Sequence, residues 1–551
     1  PLDTGDLFGN GSVLEGLEAF PRRLSAPIAQ YNLGVYAQDQ WRYSPSFQLT
    51  LGIRVEHNSN PVCQVNCFGR FTNSYDNVTA DLTTPYNSVI ASGLHQAFKG
   101  LQPVAIDPRI GFTFSPANHS KTVLRGGFGM FTDAFPAYVA DQMLGNPPFS
   151  VQFAASGLSA PTVPGNVLDS LASSNAAFQT AYASGGSFNS ISAVDTNFTQ
   201  PNMFNVDPKI HYPTYEEYSL QIQQQLGNHT SFQIGYVGNH GYHEPWVDNG
   251  VNLFGFGGAP DTPALPAFAQ VSEVRSVANS NYNGLVASIK NQSKILALQI
   301  NYTYSHALDE ISNGGFLNFG SDSSGNYNTG TIDPFNLALQ NYGNADYDIR
   351  HSLNGSYLIT VPYFRGPHAL TDSWIIGGTI FAHTGFPFSV FDGGVTGSLS
   401  PNYGGGDPAG EVLADVVDPA VPHHCGINKS SPTTSCFGST SASNSPYFAS
   451  PAGFGGQRRN QFTGPDYFNT DFTLMKGFKI SHMEAGQFQI GATAYNVLNH
   501  PNFLNPDSNF ADGPGFGVVT ATASAPTSVY GSFLGGNASA RILQLKAQIQ
   551  F

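Results

Sequence analysis

Charge is scarce in this sequence. Asp, Glu, Lys and Arg make up 11% of its 551 residues, against roughly 25% in ordinary soluble proteins. A soluble chain of this length is expected to split into several domains with charged surfaces, and the composition does not supply them. Lys and Arg number 22, spread without a cluster, and the net charge is −15. That excludes a counterion-releasing nucleic-acid surface. No run of 18 apolar residues occurs, so no transmembrane helix is expected. The opening PLDTGDLFGNGSVLEG has neither an initiator Met nor a basic stretch followed by an apolar one. No signal peptide is visible, and the chain reads as a piece of a longer protein. Cysteine is limited to two local pairs, Cys63/Cys67 in CQVNC and Cys425/Cys436 in CGINKSSPTTSC. Both lie in loop-like sequence and suit disulfides in an oxidising compartment. Free thiols remain an alternative, as does a metal site from His423, His424, Cys425 and Cys436, although CxxxC is not a zinc spacing.

Aromatics and polar uncharged residues fill the space that charge leaves. Aromatics reach 13%, glycines number 60, and the hydrophobic fraction is an ordinary 40%. The last twelve residues, ARILQLKAQIQF, alternate strictly: Leu543, Leu545, Ala547, Ile549 and Phe551 against Gln544, Lys546, Gln548 and Gln550. Period two makes a strand with one apolar and one polar face. The same pattern recurs in YNLGVYAQDQW (31–41) and FQLTLGIRVEH (47–57), then in PRIGFTFSPA (108–117) and KTVLRGGFGMF (121–131). It continues in 215–226 with 230–238, 281–292 with 295–307, 350–361 with 374–385, and 466–478 with 486–499. With the terminal strand this gives thirteen. Short turns alternate with loops of roughly 40 to 80 residues, far beyond the usual length inside a compact domain, and the long loops always fall at the same end of each hairpin.

Short turns on one side and long loops on the other predict an all-β, antiparallel up-and-down transmembrane β-barrel, with turns periplasmic and loops extracellular. The apolar faces then look out to lipid and the polar faces into a lumen. On that register Arg54, Glu56, Arg125, Gln221, Gln223, Gln299, Asn301, Gln489 and Gln544 face the lumen. There they contact a plug, line a substrate path, or simply keep the lumen wet; the sequence leaves these open. Trp41, Tyr43, Tyr363, Phe364 and Trp374 cluster around short turns as a periplasmic aromatic girdle, with plain strand propensity as the alternative. Parity places the end of the thirteenth strand in the periplasm, where Leu545, Ala547, Ile549 and Phe551 are expected to serve as an assembly signal.

No catalytic constellation is visible. HALDE sets His306 near Asp309 and Glu310 without a nucleophile, and GNHG (238–241) reads as a loop start. GGFGM (126–130) lacks the Lys and helix of a phosphate loop and suits a crowded strand. Asp322, Asp333, Asp346 and Asp348 in segment 320–348 admit a calcium site, but the spacing is not that of an EF-hand. No cofactor is expected.

YAQDQWRYSPSFQLTLGIRVE, DPRIGFTFSP, KTVLRGGFGMF, NYNGLVASIKNQ, INYTYSHALDE and TLMKGFKI…AYNVLNHPNF resemble the barrel of TonB-dependent receptors. The Oar-like type, with a carboxypeptidase-regulatory-like domain ahead of the plug, is the most similar. The resemblance runs from about residue 31 to the end. It implies that residues 1–30 finish an extracellular loop and that 31–551 are the C-terminal portion of a barrel of 22 strands, with the regulatory-like domain, plug and first nine strands absent. It also implies partners: outer-membrane lipid, the barrel-assembly machinery, the TonB complex acting through the absent plug, and an extracellular ligand such as an oligosaccharide, peptide or metal chelate. A passive porin-like channel and a secreted all-β adhesin are the rivals.

Overall fold

In the computed structural model the described residues are 16–23, 25–116, 121–155, 167–312, 331–336, 340–363, 365–399, 412–427, 434–438, 445–480, 486–523 and 540–550. Thirteen antiparallel strands form one continuous sheet in chain order. They are β1 (Asn32–Ser44), β2 (Phe47–Asn58), β3 (Ala105–Phe114), β4 (Thr122–Thr132), β5 (Thr214–Leu226), β6 (Thr230–Asp248) and β7 (Val271–Gln292). There follow β8 (Leu296–Asp309), β9 (His351–Val361), β10 (Trp374–His383), β11 (Tyr467–Lys479), β12 (Gln487–Tyr495) and β13 (Ile542–Gln550). Two short strands, Met203–Val206 and Gly343–Asn344, pair onto β7 and β8. Among the described residues no pairing joins β1 to β13, and both edge strands are exposed along almost their whole length.

The sheet is inside out by the standard of a soluble protein. On β2, Leu51, Ile53 and Val55 are 48%, 47% and 41% exposed, while Glu56 on the opposite face is buried. Ile106 and Ile110 on β3, Leu220 and Ile222 on β5, and Leu543, Leu545 and Ile549 on β13 are likewise exposed. Such a belt is stable only when lipid covers it, because each apolar side chain left in water forgoes roughly 1.5–3 kcal/mol. Gly126, on the outer face of β4, makes room for the Phe112 ring, which lies where a Cβ would be.

Among its described residues, the rim of short turns between β1 and β2, β3 and β4, β5 and β6, β7 and β8, β9 and β10, and β11 and β12 carries one short helix, His368–Thr371. At the other rim the connections pack into a cap. The loop after β2, the loop after β4 with its helix Val167–Ser184, and the loop after β6 share a core of Phe71, Tyr86, Val151, Phe153, Phe178 and Phe268. The loop after β10 joins the loop after β12 around Phe388, Phe437, Phe448, Phe462, Phe510 and Phe516. Cys63 and Cys67 are disulfide-bonded inside the cap, with Cα atoms 5.8 Å apart, and Cys425 bonds Cys436 with Cα atoms 5.6 Å apart. A zinc site of Cys425 and Cys436 with His423 and His424 is thereby excluded. Residues 16–21 belong to the cap as well, paired with Ser150–Ala155.

The expectation that GNHG opens a loop is corrected. Residues 238–241 lie within β6, which runs on to Asp248 because β7 starts at Val271 and pairs with it as far as Glu273. These two strands stand well above the length that crosses a bilayer, roughly 9–11 residues. Among the described residues no helix is long and apolar enough to cross a membrane.

Candidate functional site

The polar face of the sheet is knitted by side-chain hydrogen bonds across strands. Arg54 and Glu56 form an ion pair. Arg125 donates to Gln223 Oε1 (3.2 Å), and Gln233 donates to Gln221 Oε1 (2.9 Å). Asn301 accepts from Ser288 Oγ (2.8 Å) and donates to Asn354 Oδ1 (2.9 Å), with Gln299 beside it at 3.5 Å. Gln489 bridges Gln487 and Gln548 at 3.0 and 2.9 Å, and Tyr495 donates to Gln544 Oε1 at 3.0 Å. All nine residues read as lumenal therefore share the polar face. They form local ladders and do not converge on one point.

The aromatic residues stand at the short-turn rim. Trp41 meets Tyr43 edge-on at 5.5 Å, and Tyr363 donates to Gly366 O (3.0 Å). Trp374 Nε1 donates to Leu370 O (2.7 Å), with the Lys476 ammonium 5.7 Å from its ring. Phe364 and Phe551 lie outside the described residues. Leu545, Ala547 and Ile549 line the outer face of β13.

The residues that do converge lie on the polar face at the cap end of β5–β8. A cavity of about 750 Å³ opens there between the wall and the cap. Tyr215, Asn239, Glu244, Ser280, Tyr282 and Asp309 line it from the strands, and Tyr138, Ile311 and Tyr347 from the loops. Glu244 arrives by a backbone irregularity. Gly241 sits opposite Ser280 and Glu244 opposite Ala278, so β6 carries one extra residue between these pairs. Regular alternation from Gly241 would turn residue 244 to the outer face; the bulge re-aims it inward. His243 takes up the bend in the left-handed region, at φ 56°. Gly241 leaves space for the returning carboxylate, since a Cβ there would collide with Glu244 and the Ser280 hydroxyl. Ser280 Oγ donates to Glu244 Oε1 at 2.8 Å, and Tyr215 also hydrogen-bonds the carboxylate.

Beside the cavity the cap is locked to the wall by one buried cation. Arg459, from the loop after β10, is ion-paired to Asp309 at the end of β8 and, at 3.3 Å, to Asp346. It also donates to Ser312 Oγ (2.8 Å). Asn460 donates to Asp346 Oδ1 (2.7 Å) and Asn344 O (2.8 Å). Burial pushes the Asp346 carboxyl up to about 6, with the Arg459 guanidinium opposing. Asp348 accepts from the Ala307 N–H (2.7 Å), and Asp333 from the backbone N–H groups of Phe335 and Asn336 (2.9 and 3.1 Å). Asp322 lies outside the described residues. The described aspartates of segment 320–348 thus serve separate structural contacts, and no metal-binding group of three His, Cys, Asp or Glu forms among the described residues.

Residues 16–544 match the profile of the outer membrane beta barrel domain. The chain belongs to this family. Its place is the bacterial outer membrane, and the exposed apolar belt is the lipid-facing surface of a barrel wall. No curated protein matches the sequence. Among solved structures, the ferripyoverdine receptor of the outer membrane of Pseudomonas aeruginosa is 10% identical with a TM-score of 0.42, the match covering 95% of this chain and 39% of the receptor. The FrpB iron transporter from Neisseria meningitidis is 8% identical at 0.41, covering 95% and 45%. The outer membrane transporter YddB from Escherichia coli is 10% identical at 0.37, covering 94% and 54%. The chain spans only 39–54% of the length of these three proteins.

Glu244 and Arg459, the two charged residues that organise this barrel's rim, escape the sequence reading. Arg459 had a signal: RRN is a rare doublet of cations in a chain with 22 Lys and Arg. Glu244 had none, because its inward aim depends on a bulge that alternation cannot reveal.

Proposed function

We propose that this chain is the C-terminal part of the barrel of an Oar-like TonB-dependent receptor, which captures a scarce extracellular ligand and imports it with energy from the TonB complex. The observation that carries this is the asymmetry of the two rims. One has short turns, and the other has long connections folded into a cap, with a cavity facing the polar side of the sheet beneath them. A passive pore needs no such built cavity at its mouth. The resemblance of the motifs supports a larger barrel that holds a plug, and the two sheet edges that have no strand partner among the described residues support further strands, since open edges leave backbone groups unsatisfied in lipid. On this reading the polar ladders face the plug, the aromatic residues form the periplasmic girdle, and the last strand, with Leu545, Ala547 and Ile549, is read by the barrel-assembly machinery.

The test is reconstitution of the full-length native protein in liposomes. A plugged receptor keeps the vesicles closed to stachyose and cross-links to TonB in cells. Rapid swelling in stachyose, with no TonB cross-link, assigns the protein to the passive channels. A buffer-soluble protein whose gel mobility does not change on heating would remove it from the membrane altogether.

A further inference from the structure

We propose that the rim cavity recognises a protonated amino-sugar unit of the ligand, with Glu244 as the counter-ion. This rests on the receptor reading and gives it a ligand class. Three observations point the same way. The first is charge. Among the described residues no Lys, Arg or His lines the cavity, Glu244 forms no ion pair, and the other carboxylate, Asp309, is already taken by Arg459. Ser280 and Tyr215 occupy only part of the four or so acceptor positions of the Glu244 carboxylate. An anionic ligand would meet uncompensated like charge there, whereas an ammonium completes the set with charge-assisted hydrogen bonds.

The second is backbone cost. A non-glycine residue held at positive φ is strained, and His243 is held there by the bulge that delivers Glu244. A regular strand would avoid that strain and leave the cavity without its charge. The third is shape. Tyr215 and Tyr282 from the wall and Tyr138 and Tyr347 from the cap line a space of about 750 Å³. That size suits a small-molecule ligand. Tyrosine faces stack on the C–H faces of pyranose rings and attract cations, while Asn239 and Ser280 offer donors and acceptors for ring hydroxyls. A lone alkylammonium chain would use the charge but not the tyrosine lining.

The experiment is calorimetric titration of the full-length, detergent-solubilised protein at pH 7, because burial raises the Glu244 carboxyl to about 7, with two probes that differ in charge: the glucosamine tetramer and the N-acetylglucosamine tetramer. The free-amine tetramer is expected to bind at least about tenfold tighter, the scale of one charged hydrogen bond. Glu244→Gln should erase that preference, and so should Gly241→Ala, which displaces the carboxylate without removing it. Both variants must keep the heat-modifiable band of the folded barrel. Equal binding of the two probes, tighter binding of the acetylated one, binding of neither, or a preference that survives Glu244→Gln would each overturn the proposal. The liposome result judges the receptor reading separately: closed vesicles without amine selectivity sink only the ligand class, and open vesicles sink the receptor.

Discussion

The wall and the cap are built from the same twenty residues by opposite rules. On the wall, Leu220 is 51% exposed and Glu56 on the polar face is 7% exposed. In the cap, Phe437 is fully buried and stacked on Phe516 at 5.1 Å, as in any soluble core. One region is stabilised by a solvent that the chain does not contain, the other by contacts it makes with itself. Two exposed apolar residues therefore do not mean the same thing, and substitution separates them.

The largest effect is expected inside the cap. Phe437→Ala removes a ring packed among Phe388, Phe448, Phe462 and Phe516 and should cost about 3–5 kcal/mol. Hydrogen exchange should show the loss confined to the loops after β10 and β12, with the heat-modifiable barrel intact. If the strands melt together with these loops, cap and wall are one cooperative unit and the comparison fails.

Arg459→Met attacks the joint between the two regions. Removing the cation leaves Asp309 and Asp346 buried without their partner, and breaking a buried pair from one side costs about 3–5 kcal/mol. Limited proteolysis at neutral pH should cut the loop after β10 faster than in the wild type, with the difference shrinking on acidification as the stranded carboxyls protonate. A difference that does not change with pH would mean that packing, not charge, holds the joint.

The next test sets the two kinds of exposed apolar residue side by side. Leu220→Arg, midway along β5 on the outer face, should cost about 2–4 kcal/mol for unfolding in lipid vesicles. Val194→Arg, on a cap residue that is 85% exposed, should change stability by about 0.5 kcal/mol or less. Equal costs would place Leu220 outside the bilayer.

The wall was legible in the sequence and the cap was not. Alternation in LTLGIRVE is a local signal, since each residue's face follows from its neighbour's, and it located thirteen strands to within a few residues at most ends. Phe71, Phe98, Phe178 and Phe437 follow no period; they are buried because distant loops meet, and no window of sequence contains that fact. The extension of β6 through GNHGYHEPWVD failed for a related reason. Gly, Asn and Pro are turn formers, and pairing with Glu273–Asn283 of β7 overrides them. The candidate site combines both failures: its tyrosines come from wall and cap together, and its carboxylate is turned inward by an extra residue.

The smallest expected effect tests the joint by titration. Asp346 has its carboxyl pushed up to about 6 by burial, against about 3.8–3.9 in an unfolded chain. The folded protein therefore holds this proton more tightly than the unfolded one. The Asp346 contribution to stability is then fully present below about pH 4, declines as pH rises, and is lost by the time pH has passed through about 6. Asp346→Asn is neutral at every pH and keeps an oxygen to accept from Asn460, so at pH 5 it should alter cap stability by about 1 kcal/mol or less. The difference between wild type and variant, followed by hydrogen exchange of the loop after β10 from pH 4 to 7, should move steadily in favour of the variant. A difference running the other way would mean that the carboxylate is held ionised by Arg459, and that the ion pair, not burial, governs this contact between cap and wall.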